Sequence, residues 1–222
     1  MGSEPAAPEA RLRALLRARC PLVFVESSEE ERFERLLIRL TEGLAVRLAM
    51  WSVAQGLTDA QGQPLTGAQE THQPESLLRL LGGPNPGPTE VYLLRDLDAH
   101  LPHDLVLQRR LRELTRAFRG AGRTCLLISA APQIPSGLVR VAERFEFPLP
   151  TAAELRHVLQ SLLTSTDLSF SEAEVAVAAE AALGLTEIEA ETLFACALVE
   201  DRCLDPAALE KGREARLRDV TG

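Results

Sequence analysis

One lysine, Lys211, stands against 23 arginines in this 222-residue sequence. That scarcity, joined to a local shortage of glycine, excludes the usual way of gripping a nucleotide. A phosphate-binding loop needs glycines so that backbone N–H groups can close on the phosphates, and a lysine that reaches the terminal ones. Residues 26–31 (Glu-Ser-Ser-Glu-Glu-Glu) follow a strand-like run and lead into an amphipathic helix, which is the place for such a loop. They hold neither residue type and carry four carboxylates instead. Lys211 lies far downstream in a polar tail.

Other absences narrow the field further. The four cysteines, Cys20, Cys125, Cys196 and Cys203, form no CxxC pair. Cys125 sits in an apolar run and reads as a buried thiol, so reduced cysteines in a cytoplasmic protein are expected. Cys196 and Cys203 read as buried or inert. No apolar stretch approaches the roughly 20 residues that span a bilayer, and the acidic, Ala/Pro-rich start does not have the form of a signal peptide. No membrane partner is expected. A net charge of −8 argues against nucleic acid as a partner, because phosphate neutralisation by basic side chains dominates that affinity. Four histidines, at 72, 100, 103 and 157, lie in unrelated surroundings, and no Ser/His/Asp or Cys/His arrangement stands out.

What is present is a globular pattern. Apolar residues make up 45% and charged residues 25%, and the length suffices for one α/β core plus a smaller helical unit. Residues 1–9 read as a disordered lead. Leu12, Leu15 and Leu16 at helical spacing predict a short helix, and residues 21–25 (PLVFV) a first strand. Ser28 is placed to cap a helix running to about Gly43, with Phe33, Leu36, Leu37 and Leu40 on its buried stripe. Residues 45–53 (AVRLAMWSV) predict a second strand, and residues 55–73, rich in Gly, Gln and Thr, an exposed loop. A short helix over 74–81 follows. Residues 90–94, 124–129 and 144–147 supply three more strands, with a helix over about 104–120. After Pro148 only helices are predicted, over about 151–164, 171–183, 186–200 and 205–218. Strands alternating with helices imply an α/β domain over 10–150 with a parallel sheet, and a helical subdomain and tail over 151–222.

Five strands, a turn at Phe147-Pro148-Leu149-Pro150 and a helical lid are similar to the layout of an AAA+ ATPase module, a P-loop NTPase-type fold. Residues 91–99 (VYLLRDLDA) resemble that family's metal-site strand, and residues 144–150 (RFEFPLP) its run into the lid. Residues 10–218 more closely resemble the N-terminal, non-catalytic half of an AAA ATPase family encoded in cyanobacteria, other bacteria and some chloroplast genomes. The phrases that carry this are residues 16–25 (LRARCPLVFV), 29–32 (EEER), 51–57 (WSVAQGL) and 184–191 (GLTEIEAE).

The departures from the family pattern define the candidate site. The degenerate nucleotide-site positions are Glu26, Ser27, Ser28, Glu29, Arg95 and Asp96. By the resemblance, Arg95 stands where the family has a Mg²⁺-associated aspartate, and Asp96 where it has the catalytic glutamate. A guanidinium repels a cation that needs hard oxygen ligands. The sensor asparagine expected after the fourth strand falls near Ala131-Pro132, which offer no side-chain hydrogen bond. Neither ATP nor Mg²⁺ is therefore expected as a cofactor, and no catalytic residue is assigned. Residues 55–73 also lack an aromatic-hydrophobic-glycine pore motif, which weighs against polypeptide threading.

Three side-chain groups keep two readings open. Asp96, Asp98, His100, His103 and Asp104 form either a metal site or a set of loop and cap residues. Arg109, Arg110, Arg112, Arg116, Arg119 and Arg123 form either a docking face for an acidic partner or the solvated side of an amphipathic helix. Arg144 is either a surface arginine or, by the resemblance, a residue reaching into a neighbour's nucleotide site. The expectation is a catalytically inactive AAA+-like module that binds an AAA-type ATPase subunit or a second copy of itself. Its possible interface would be Arg140, Arg144 and the 186–200 helix, and it would be either a free-standing module or the N-terminal half of a longer AAA ATPase. The alternative is an unconventional ATP-binding AAA-family ATPase.

Overall fold

Buried β-branched, leucine and aromatic residues in unbroken runs set the architecture. In the computed structural model, which describes residues 7–221 except 66, 68, 69 and 84–86, with side chains through residue 218, two compact units meet at Phe147/Pro148. The first opens with α1 (Pro8–Arg17), β1 (Leu22–Glu26), α2 (Glu30–Gly43), β2 (Leu48–Ser52), β3 (Gly56–Asp59) and α3 (Pro74–Leu81). It continues through β4 (Val91–Arg95), a 3-10 turn at Leu97–His100, α4 (Leu105–Ala121), β5 (Thr124–Ser129) and β6 (Glu143–Glu146). The lead expected over residues 1–9 falls largely outside the described residues, and Pro8 already opens α1.

The sheet order is β3-β2-β4-β5-β1-β6. Five strands run parallel; β3 alone is antiparallel, paired with β2. Side chains alternate between faces at the strand period of two. Leu22, Phe24, Trp51, Tyr92, Leu94 and Leu127 face one way and pack with α3 and α4. Val23, Val25, Met50, Leu93, Leu126 and Ile128 face the other and pack with α1 and α2. Covering both faces is why β1, β2, β4 and β5 read as continuous apolar runs instead of alternating ones. Phe33 of α2 is fully buried and meets the rings of Phe145 and Phe147 at 6.2 and 5.3 Å, fixing α2 against the β6 edge. Truncating a buried phenylalanine of this kind to alanine costs about 3–5 kcal/mol.

Two local expectations need correction. Residues 55–73 are not a simple exposed loop. Gly56, at φ +69°, lets the chain double back after Ser52, and Leu57 and Thr58 are buried in a sixth, antiparallel strand. Thr71 is also buried: its carbonyl accepts from Trp51 Nε1 at 2.5 Å, and its hydroxyl accepts from the Leu57 N–H at 2.9 Å. Ser28 does not cap α2 either. It is exposed, the N-cap position is Glu29, and no side chain caps the helix there.

The second unit holds α5 (Ala152–Leu163), α6 (Glu172–Ala181), α7 (Glu187–Glu200) and α8 (Pro206–Thr221) around its own core, which includes Leu155, Leu159, Val175, Leu185, Leu193 and Phe194. Three of these helices begin with reciprocal capping boxes: Thr151 with Glu154, Ser171 with Glu174, and Thr186 with Glu189. Each box satisfies two N-terminal backbone donors that a helix otherwise leaves open. Among the described residues no helix is long and apolar enough to cross a membrane.

Candidate functional site

The carboxyl ends of β1, β4 and β5 lie side by side in register, Glu26 opposite Ser129 and Arg95 opposite Ile128. Crevices at such ends are where open α/β sheets place their ligands. The turn from β1 into α2 crosses this edge. Ser27 is buried there; its hydroxyl accepts from the Glu29 N–H at 3.0 Å and donates to the Phe147 carbonyl at 3.1 Å. Glu29 is 4% exposed and pairs with Arg32 Nε at 3.3 Å, and the Arg32 guanidinium stacks 4.4 Å from the Phe147 ring. The turn is therefore packed shut by its own side chains. Glu26 points to the sheet edge and binds Arg144 of β6, with Nη2 at 2.9 Å and Nε at 3.1 Å.

Arg95 forms the centre of the site. Its side chain is only 13% exposed, and Nε is ion-paired with Glu30 at 3.2 Å and with Glu34, one helical turn further along α2. Nη1 donates to Gln55 Oε1 at 3.3 Å. Burial works against the charged guanidinium, but the hydrogen bond to Glu34 and the charges of Glu34, Glu30 and Asp96 outweigh it, so Arg95 holds its proton more tightly than usual. Glu30 shifts the other way for a carboxylate: desolvation raises its pKa, the Arg95 charge opposes that, and Glu34, Asp96 and Glu31 add to the rise. Asp96 is exposed, at φ +53°, and its N–H donates to the Ile128 carbonyl at 3.0 Å. Glu34 escaped the sequence reading, although its i, i+4 spacing from Glu30 was a usable signal.

The five-residue Asp/His cluster does not converge. Asp104 caps α4 by accepting from the Leu107 N–H at 2.8 Å. Asp98 is 3% exposed, and its Oδ2 accepts from the Ser129 hydroxyl at 2.9 Å and the Gln133 N–H at 3.2 Å, bracing β4 against the chain after β5. Among the described residues no three His, Cys, Asp or Glu side chains are placed to hold a metal. Cys125 is buried, with its pKa pushed up by that burial. Cys196 and Cys203, expected to be buried or inert, are exposed because they lie on the outer side of α7 and in the turn after it. Arg140 is exposed and makes no ion pair or hydrogen bond with a described residue.

A family model described as the N-terminal domain of SpoVK-like AAA ATPases matches residues 8–147, and one described as the second domain of the same group matches residues 153–211. The chain belongs to the SpoVK-like AAA ATPase family. The AAA domain-containing protein ycf46 of Pyropia yezoensis is 25% identical over 161 residues, covering 72% of this chain and 32% of that protein. Its counterpart in Guillardia theta is 25% identical over 175 residues, 78% of this chain and 34% of that one. The chain thus spans about a third of the length of these curated relatives. Among solved structures, the FIGL-1 AAA domain in complex with ADP aligns with a TM-score of 0.58 at 12% identity, over 94% of this chain and 76% of that one. The RuvB Holliday junction branch migration motor of Thermotoga maritima aligns at 0.57 and 13%, over 96% and 69%. These likenesses establish the AAA+ fold.

A Mg-nucleotide is the ligand that an AAA+ fold implies, and the residues here do not fit it. Glycine is absent from the β1–α2 turn and Ser27 and Glu29 are packed within it, so no open backbone cradle faces outward. Arg95, which by the resemblance stands at the metal position, is already bound to two carboxylates. Glu29, Glu30 and Glu31 occupy the helix N-terminus, where their charges complement the dipole that would otherwise attract an anion.

The raised Glu30 pKa gives a test of this electrostatic balance. A carboxyl whose folded-state pKa exceeds its unfolded value contributes its stability below the unfolded value and loses it as pH rises through the folded one. Above that range the ionised Glu30 is a net cost. Glu30→Gln is expected to raise the melting temperature relative to wild type at about pH 8, with the difference shrinking towards about pH 4. A variant less stable than wild type at the higher pH would show that the Arg95 pair outweighs desolvation.

Proposed function

We propose that this chain is a catalytically inactive AAA-type module that works through protein–protein contacts, regulating or assembling with an AAA-type ATPase subunit or a second copy of itself. The observation that carries this reading is the pairing of Arg95, which by the resemblance stands at the metal position, with Glu30 and Glu34. No ATP or Mg²⁺ is used by this module, and its fold is kept for its surfaces. The family match to a domain called N-terminal, together with relatives about three times as long, supports a role as the N-terminal part of a longer ATPase. Four free cysteines fit a reducing, cytoplasmic setting.

The contact edge is Arg140 and Arg144. Arg144 is 61% exposed even while paired with Glu26, and Val139 beside Arg140 is 58% exposed. An exposed pair of this kind contributes about 0–1 kcal/mol to the fold, so it can be exchanged for an intermolecular partner at little cost. Sedimentation of the chain, alone and with an AAA-type ATPase module supplied in trans, is expected to show weak association that Arg144→Glu reduces. Unchanged affinity in the variant would remove this edge as the interface. A strictly monomeric wild type that ignores every ATPase module offered would contradict the interaction reading itself.

One observation favours an unconventional ATPase instead: Asp96, which by the resemblance stands where the family has its catalytic glutamate, is exposed. The purified chain is expected to show no ATP hydrolysis above a buffer control. Turnover that Asp96→Ala abolishes would establish the alternative, since a contaminant would not depend on that residue.

A further inference from the structure

The six arginines after β4 separate into two sets. Arg110 turns to Glu75 of α3 at 3.0 Å, and Arg123 donates to the Gly87 carbonyl at 2.7 Å. These two tie α4 and its end to their own unit. Arg109, Arg112, Arg116 and Arg119 are all exposed and follow an i, i+3, i+7, i+10 spacing. On an α-helix this places them within an arc of about 80° along about 15 Å. Arg109 is paired with Glu113 at 2.7 Å; Arg112, Arg116 and Arg119 make no ion pair or hydrogen bond with any described residue.

This arginine face lines a groove of about 250 Å³ together with Glu113, Thr115 and Val141. Two glycines make room for the guanidinium groups. A Cβ at Gly137 would stand 2.6 Å from Arg112 Nη2, and one at Gly122 would stand 2.5 Å from Arg19 Nη1. Arg19 therefore adds a fifth cation at the carboxyl end of the same helix. Like charges at neighbouring helical positions destabilise a helix by a few tenths of a kcal/mol per pair (about 0.2–0.5), so the stripe works against the element that bears it. The surrounding unit does not overwhelm the patch, since residues 1–147 carry 18 acidic and 18 basic side chains.

Guanidinium forks match carboxylates and phosphates equally well, so the surroundings must choose between them. The large exposed apolar side chains of the described residues are all aliphatic, and without an exposed aromatic there is no platform on which unpaired bases could stack. Glu113 sits within the stripe, and the whole chain carries −8, both adverse to a polyphosphate backbone. A short acidic peptide needs only the four guanidinium groups and an apolar contact such as Val141.

We propose that the Arg109, Arg112, Arg116 and Arg119 face of α4 docks a Glu/Asp-rich segment of a partner protein. This goes beyond the proposed function. It rests on the α4 face and not on the Glu26–Arg144 edge, and holds whether or not the nucleotide site is dead. Fluorescence anisotropy with a labelled peptide of Glu-Glu-Leu repeats tests it on the full chain. Binding should weaken between about 50 and 200 mM salt and fall by at least about tenfold in Arg112→Glu/Arg116→Glu, while Arg144→Glu leaves it unchanged. Circular dichroism and melting temperature establish that the variant is folded; if it is not, Arg116→Ala/Arg119→Ala replaces it, with a smaller loss expected. No peptide binding by the wild type, equal affinity in a folded variant, or tighter binding of a single- or double-stranded oligonucleotide than of the peptide would each overturn the proposal.

Discussion

The ion-paired cluster of Arg95 with Glu30 and Glu34 is the constraint on which the rest of the site depends. A guanidinium that is 13% exposed has given up much of its hydration, and it keeps its charge because two carboxylates and Gln55 receive it. The desolvation of Arg95 is offset only while Glu34, the more buried of its two carboxylates, stays with it, so removing either of these two is far more costly than never having built the pair. The cluster also joins the end of β4 to the first turns of α2. In an AAA+ module these are the two elements that share a metal and a phosphate. Here an internal cation meets two internal anions, so the charge of Arg95 is answered by the chain's own side chains. The packed turn at Ser27 and Glu29 and the Glu26–Arg144 pair at the edge extend the same arrangement.

Much of the fold was legible in the sequence because two periods were unambiguous. Residues 21–25 and 124–129 are short apolar runs that only a sheet covered on both faces can bury, and the stripe of Phe33, Leu36, Leu37 and Leu40 has helical spacing. β3 was hidden because the segment 55–73 has a loop composition. Its strand character depends on Gly56 in a left-handed conformation and on Trp51 and Leu57 reaching Thr71, contacts that no local pattern encodes. The misplaced cap has a similar cause. Ser27 and Ser28 are equivalent by propensity, and it is the distant Phe147 carbonyl that draws Ser27 inward.

At the site, the sequence identified the odd residue types and not their pairings. Arg95 stood out in the sequence as a cation at the end of an apolar strand, yet Glu34 became its partner only once α2 lay over the end of β4. Asp98 was grouped with histidines that it does not meet; Ser129 and Gln133, its real partners, come from beyond β5. The helical unit was easier to read because its signals are local. Three repeats of Ser/Thr-x-x-Glu start three helices, and those same glutamates concentrate negative charge there: residues 151–200 hold nine carboxylates and one arginine. The net charge of the chain therefore belongs to that unit and not to the sheet, where the arginine face of α4 stands among balanced charges.

Thermal unfolding with and without Mg-ATP shows whether the chain's own charges stand where a nucleotide would bind. A ligand that binds only the folded state at a hundredfold excess over its Kd stabilises it by about 2.7 kcal/mol, a rise of several degrees for a chain of this length. Millimolar Mg-ATP is expected to leave the melting temperature where it is. A reproducible rise of that size with Mg-ATP, absent with AMP, would contradict it.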